Sequence, residues 1–270
     1  MRDVVLHLFC FADTKSLLEA PGEALQRDGV VRSITVEDVT ALAGEAALED
    51  FEGPEAEKRL QDISWLGPQA LRHGEVASLI MKWSPVLPAR FGALFSSEQA
   101  LVELIERNYE TIRGFLEHTR GSEEWGVKAL FSRSDARETL FRDMLEKHSS
   151  DLASMTPGLR YFKEQQLRAK VDKEVGSWLK DACGRVSANL HACSFDSVKR
   201  PVTTLSLDAE GRETAANWAF LVGSHRVREL FFLVEHANNE FADRGLVFQV
   251  SGPWPPYSFV PALVLEEPET

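Results

Sequence analysis

Three cysteines in 270 residues, Cys10, Cys183 and Cys193, make an odd and scattered set with no CxxC pair. Such a set argues against a disulfide framework and against a cysteine-based zinc site, so reduced and mostly buried thiols are the expectation. Basic charge is in short supply: 30 Lys and Arg stand against 42 Asp and Glu, a formal net charge of −12. Nucleic acid and anionic lipid both demand a basic footprint, so neither nucleic acid nor a lipid membrane is an expected partner. No apolar run is long enough to span a bilayer. The first eleven residues are apolar but lack a basic region and a small-residue cleavage site, and they read as the first strand of a cytoplasmic protein.

Catalytic signatures are missing too. There is no phosphate-cradling glycine loop, no GxSxG elbow and no HExxH. The seven histidines are dispersed, and none stands at metal-ligand spacing with a cysteine or a carboxylate pair. His7 sits inside an apolar strand and reads as a satisfied core histidine. His191 and Cys193, two apart on a helix, point to different faces and make a poor nucleophile pair. No enzymatic activity, cofactor or metal is expected.

What is present is an ordinary folded chain, 44% hydrophobic and 27% charged, long enough for one large domain or two modest ones. Residues 4–11 form a strand apolar on both faces, hence central in a sheet. A short helix over 13–20 follows, with Asp13 or Thr14 as cap and Pro21-Gly22 as its end. Strands over 30–36 and 39–43 flank Glu37-Asp38 as a hairpin. Residues 55–83 are helical, with a break expected at Gly67-Pro68, and Leu71, Val76, Leu79, Ile80 and Trp83 lie on one face. A strand over 86–95 carries Pro88 as an edge or bulge. Ser97 then caps a long helix whose stripe is Leu101, Leu104, Ile105, Ile112, Phe115 and Leu116, and Gly121 stops it. This order predicts an N-terminal ferredoxin-like α/β sandwich with an extra helix over 1–121.

The rest, 122–270, reads as a second α+β domain. It opens on a strand over 124–132 and continues into an antiparallel, coiled-coil-like helical hairpin over about 135–193, turning at Pro157-Gly158. Val171, Val175, Trp178, Leu179, Ala182, Val186 and Leu190 recur at three- and four-residue steps on its second arm. Strands over 201–207 and 215–222, a helix capped by Ser224 and a last strand over 246–250 complete it. The tail 266–269 is expected to be solvated and frayed.

The last strand runs into Ser251-Gly252-Pro253-Trp254-Pro255-Pro256-Tyr257-Ser258-Phe259-Val260. Glycine permits backbone angles that other residues resist, and three prolines in four positions fix φ and remove donors, so this is a stiff, extended corner. Trp254, Tyr257 and Phe259 serve it either as a clasp packed on the protein's own core or as an aromatic docking surface. Arg90, beside Pro88 and Phe91, either binds an anion or pairs with one of the many acidic residues.

The stretch GPWPPYSFV resembles the closing signature of the GvpF/GvpL family of gas vesicle accessory proteins. Val86-Leu87-Pro88-Ala89-Arg90-Phe91-Gly92-Ala93-Leu94-Phe95 is similar to the family's "vlP-x-rFGt-vf" segment, and Glu124-Trp125-Gly126-Val127-Lys128 to its "E-x-G-x-K" strand entry. The resemblance implies a fold of two α/β domains with a projecting coiled-coil portion. It also implies a cytoplasmic, vesicle-associated assembly factor whose partners are the small hydrophobic shell protein GvpA and other accessory proteins. Pro88, Arg90, Phe91, Gly92, Gly252, Pro253, Trp254, Pro255, Pro256, Tyr257 and Phe259 are its motif residues here and the candidate partner contacts. The alternative is a ferredoxin-like small-molecule-binding protein or an enzyme of unknown substrate, since that fold hosts many functions.

Overall fold

The computed structural model describes residues 4–19, 31–202 and 207–264. The expected helix end at Pro21-Gly22, the strand start at Val30 and the acidic tail 266–269 lie outside these residues. The chain divides into two compact units, Met1–Glu124 with Pro253–Thr270, and Trp125–Gly252. This departs from the expected 1–121 and 122–270, because the segment from Pro253 on belongs to the first unit. The reason is tethering across long sequence separations. Ser258 is bonded to Glu124, the main chain of Val264 is bonded to Asn108, and Phe259, Val260 and Leu263 pack into the first unit's core.

The first unit is built on β1 (Val4–Asp13), β2 (Val31–Val36), β3 (Val39–Ala47), β4 (Val86–Pro88) and β5 (Leu94–Phe95). The strand order is β2-β3-β1-β4, with β5 also pairing β1, and each of these pairings is antiparallel. A split β-α-β connection produces this order. β1 is central and covered on both faces, as its unbroken apolar run requires. A bulge between Leu8 and Cys10 shifts the alternation by one residue. Leu6, Leu8 and Phe11 therefore share one core, while Phe9, Cys10 and Ala12 share the other.

Among the described residues, four α-helices accompany the sheet: α1 (Thr14–Leu18), α2 (Pro54–Gln61), α3 (Ile63–Ile80) and α4 (Glu98–Thr119). Leu17 of α1 and Ala77 and Ile80 of α3 pack on the Phe9 side, and the α4 stripe packs on the Leu8 side. Asp13 caps α1 through the Ser16 N–H, and Ser97 caps α4 through the Ala100 N–H. Two elements differ from expectation. The helical break falls at Asp62, whose carboxylate accepts the Ser64 N–H and caps α3, while Pro68 lies inside that helix. The strand expected over 86–95 is split into β4 and β5 by a loop.

The second unit carries the sheet β7-β8-β6-β9, formed by β6 (Ser122–Phe131), β7 (Asp196–Lys199), β8 (Glu213–Gly223) and β9 (Leu246–Trp254). Its helices are α5 (Arg133–Lys147), α6 (Ser149–Ala153), α7 (Pro157–Ala192) and α8 (Val227–Phe241). Arg137 pairs with Asp172 at 2.6 Å, and Arg168 lies 4.1 Å over the Phe141 ring, so α5 and α7 run antiparallel as a hairpin. The α7 stripe Val171, Val175, Ala182, Val186 and Leu190 is buried in one core with Trp218, Phe220, Phe241 and Phe248.

Three details of this unit correct the sequence reading. Pro157 occupies the first turn of α7, where its missing N–H costs nothing, so Pro157-Gly158 starts the helix. The strand expected over 201–207 is replaced by β7 upstream, with 203–206 outside the described residues and Leu207 only bridging Glu213. α8 follows a 3-10 turn over Ser224–Arg226 and has no side-chain cap.

Candidate functional site

After Pro88 the chain leaves β4 into the loop 89–93, which two buried histidines hold in place. His73 Nε2 bonds the Ala89 carbonyl at 2.9 Å, and the Gly92 N–H reaches His7 Nε2 at 3.2 Å. Further main-chain bonds run from Ala89 N–H to the Phe9 carbonyl and from Leu8 N–H to the Ala93 carbonyl, both 2.9 Å. Gly92 adopts φ +83°, a left-handed angle that a side chain would strain. The Phe91 ring consequently stands edge-on to both imidazoles, 5.3 Å from His7 and 5.7 Å from His73.

His73 Nδ1 lies 3.2 Å from His7 Nε2. If His73 Nε2 carries its proton toward Ala89, then Nδ1 is bare. With both rings neutral, His7 Nε2 either donates to that nitrogen or accepts from Gly92, but cannot do both. Burial pushes His7 down to about 4, with the charge of His73 adding to the effect, and burial also lowers His73. Both rings are therefore neutral at pH 7. His7 is the core histidine the sequence suggested. His73 was not foreseen, although its spacing to Ala77 and Ile80 places it on the buried face of α3.

The C-terminal corner arrives from the other direction. β9 lies at the edge of its sheet, which lets it carry Pro253 without losing a ladder bond. Gly252, at φ +131°, supplies an angle closed to other residues. Pro255 and Pro256 are buried, and Tyr257–Phe259 makes one 3-10 turn. The buried carboxylate of Glu124 accepts the Ser258 N–H at 2.8 Å and its hydroxyl at 3.0 Å. Further on, the Asn108 amide accepts the Val264 N–H at 2.8 Å and donates to the Val264 carbonyl at 2.9 Å. The segment 255–264 is thus strapped across α4.

The aromatic residues of the corner divide by role. Phe259 packs with Val260 and Leu263 against the core, whereas Trp254 is 48% and Tyr257 39% exposed. Trp254, Pro255 and Tyr257 meet Phe91 and the outer side of α3 around an open groove of about 700 Å³. Leu71 and Leu79 form its α3 wall, with Leu71 64% exposed, so the expected one-face stripe of α3 is split between core and groove. A second groove of about 500 Å³ is lined by Tyr257 with Pro88, Arg90, Ala93 and Val260. Arg90 is exposed and forms no ion pair with a described residue. All three signature segments therefore meet here: Phe91 and Trp254 share a groove, and Glu124 holds the turn that positions Tyr257.

The other chemistry-bearing groups are occupied elsewhere. His191 Nδ1 bonds Ser197 Oγ at 2.9 Å, and the Cys193 thiol donates to the Leu190 carbonyl. All three cysteines are free and buried, and burial pushes the Cys10 thiol up to about 12 and Cys183 to about 11. Among the described residues, no three His, Cys, Asp or Glu side chains are placed to hold a metal ion. No described helix is long and apolar enough to cross a membrane.

Two α+β units, one of them with an exposed aromatic groove held from beneath by buried polar tethers, define a protein of mixed α and β structure. Its family follows from comparison with known proteins. The profile of the gas vesicle synthesis protein GvpL/GvpF family matches residues 5–261, and the chain belongs to that family. It is 28% identical to gas vesicle protein L of a Streptomyces species over 225 residues, covering 82% of this chain and 80% of that one. It is 23% identical to gas vesicle protein L2 of Halobacterium salinarum over 269 residues, 97% and 93% of the two chains. The fold is similar to crystal structures of GvpF from Anabaena and from Microcystis aeruginosa. Their TM-scores are 0.67 and 0.63, each at 16% identity, with 98% and 96% of this chain and 100% and 99% of theirs covered.

Proposed function

We propose that this gas vesicle accessory protein assists shell assembly by holding an aggregation-prone shell subunit, GvpA, before or during its addition to the growing shell, in concert with other accessory proteins. It works by binding and not by catalysis, in the cytoplasm and at the vesicle. The observation that carries this reading is the groove at Trp254 and Tyr257. Two large aromatic surfaces are left half-exposed although the backbone beneath them is pinned by Glu124 and Asn108. Rigid, exposed aromatics on a pinned backbone give contact area at low entropic cost. A partner whose hydrophobic strands pair indiscriminately when uncovered needs such a surface.

Co-expression with GvpA, followed by affinity pull-down and size-exclusion chromatography, tests this. Soluble co-elution is expected. A shell protein that aggregates as it does alone would contradict direct shell binding. Trp254→Ala separates the two roles of the corner: lost binding at unchanged melting temperature identifies a contact, and loss of both identifies a clasp.

A further inference from the structure

The first unit holds the segment 255–264 as it would hold a bound peptide, chiefly by its main chain. The Asn108 amide is oriented by donating to the Leu104 carbonyl at 2.9 Å. It then accepts the Val264 N–H and donates to the Val264 carbonyl, as a neighbouring strand would. At the other end Glu124 takes the Ser258 N–H and hydroxyl. Phe259, Val260 and Leu263, between these tethers in sequence, pack against the core. Main-chain bonds with side-chain pockets among them are how extended peptides are recognised. The seat is not closely filled. A groove of about 500 Å³ stays open, lined by Leu8, Phe11 and Leu104 of the core with Val260 and Leu263 of the segment.

The segment reaches this seat through a joint. The two compact units meet in sequence at Gly252 and Pro253. Residues 251–254 are exposed, and Gly252 stands at φ +131°. Pro253, Pro255 and Pro256 fix their own φ, so rotation at Gly252 redirects the stiff segment as one piece. The unit behind the joint, Trp125–Gly252, carries its own core.

We infer that the seat exchanges its occupant, taking the segment 255–264 of a second copy of this chain. In the reciprocal dimer each aromatic groove is completed by the other copy's Trp254 and Tyr257. A second copy offers the same side chains and the same main-chain groups, so every contact is remade. The chain's own segment keeps the advantage of effective concentration, on the order of millimolar for a short linker. Exchange therefore shows most clearly when the contact within one chain is weakened. The inference goes beyond the assembly reading and needs no shell protein.

Two full-length variants with different affinity tags test it. Asn108→Ala weakens the seat and leaves the segment intact, whereas Phe259→Asp spoils the segment and leaves the seat intact. Mixed at micromolar concentration, they should be co-captured and sediment as a one-to-one complex. Capture should exceed that of either variant with itself by about tenfold or more. Hydrogen exchange over 255–264 of the Asn108→Ala chain, fast alone, should slow in the mixture; association through any other surface would leave it fast. If melting shows Phe259→Asp to be unfolded, Val264→Pro replaces it, since that change deletes the N–H that Asn108 accepts. Co-capture no greater than in the self-pairings, or co-capture with unchanged exchange over 255–264, would overturn the inference. Neither result touches the assembly reading, which the shell-protein pull-down decides separately.

Discussion

The α5–α7 hairpin and the C-terminal corner are both rich in apolar side chains, yet they dispose of them oppositely. Along α7 the stripe from Val171 to Leu190 is buried in the second unit's core, and the charged residues between are left to solvent. In the corner, the apolar groups nearest the backbone are buried at Pro255 and Pro256, while the two largest rings face outward. Polar tethers, Glu124 to Ser258 and Asn108 to Val264, supply the order that core packing supplies in the hairpin. Burial identifies a structural stripe. Exposure on a tethered backbone identifies a surface available for recognition.

Breaking the hairpin should have the largest effect. Val175→Asp places a carboxylate where the native side chain is 1% exposed. A cost of about 4 kcal/mol or more is expected. Hydrogen exchange should show the loss of protection concentrated in the second unit, and equal loss throughout the chain would show the two units to be one cooperative body.

Acid should weaken the groove's support next. His7 in the unfolded chain binds its proton near 6.5, whereas the folded protein resists protonation until about 4. Protons therefore favour the unfolded chain between these values. The stabilisation from the neutral ring is complete above about 6.5 and is lost as pH falls through that window. It amounts to about 3 kcal/mol at most. The lowered His73 acts in the same direction. Urea midpoints measured across this range should fall more steeply for the wild type than for His7→Gln.

Cutting a tether comes third. Asn108→Ala removes the bonds to both main-chain groups of Val264. A cost of about 2 kcal/mol is expected. Exchange should rise over the tail from 255 on, with the α4 core still protected. The smallest stability change belongs to Trp254→Ala. A side chain 48% exposed contributes little to folding. A loss below about 1 kcal/mol is expected, against a loss of partner binding, read by thermal melts beside pull-downs.

Much of the fold was legible because it is local. The unbroken apolar run of β1, the hairpin turn at Glu37-Asp38, the α4 stripe behind Ser97 and the repeat along α7 all follow from neighbours a few residues apart. The departures are non-local. The strand expected over 86–95 is interrupted because the loop after Pro88 is bonded to His73 and to His7, 85 residues before Gly92. The tail rejoins the first unit through a bond spanning 134 residues. Of the site, Phe91, Trp254 and Tyr257 were visible as signature residues. Their meeting with Leu71 and Leu79 was not, because the helical period of α3 does not reveal that two of its faces are apolar for different reasons.

The most direct test of the central claim is the amount of GvpA that co-elutes with Trp254→Ala relative to the wild type, measured alongside the melting temperature of each. The account predicts that the wild type holds the shell protein in solution and that the variant melts as the wild type does but releases it. Undiminished co-elution with a correctly folded variant would contradict the claim that the exposed corner is the surface that recognises the shell subunit.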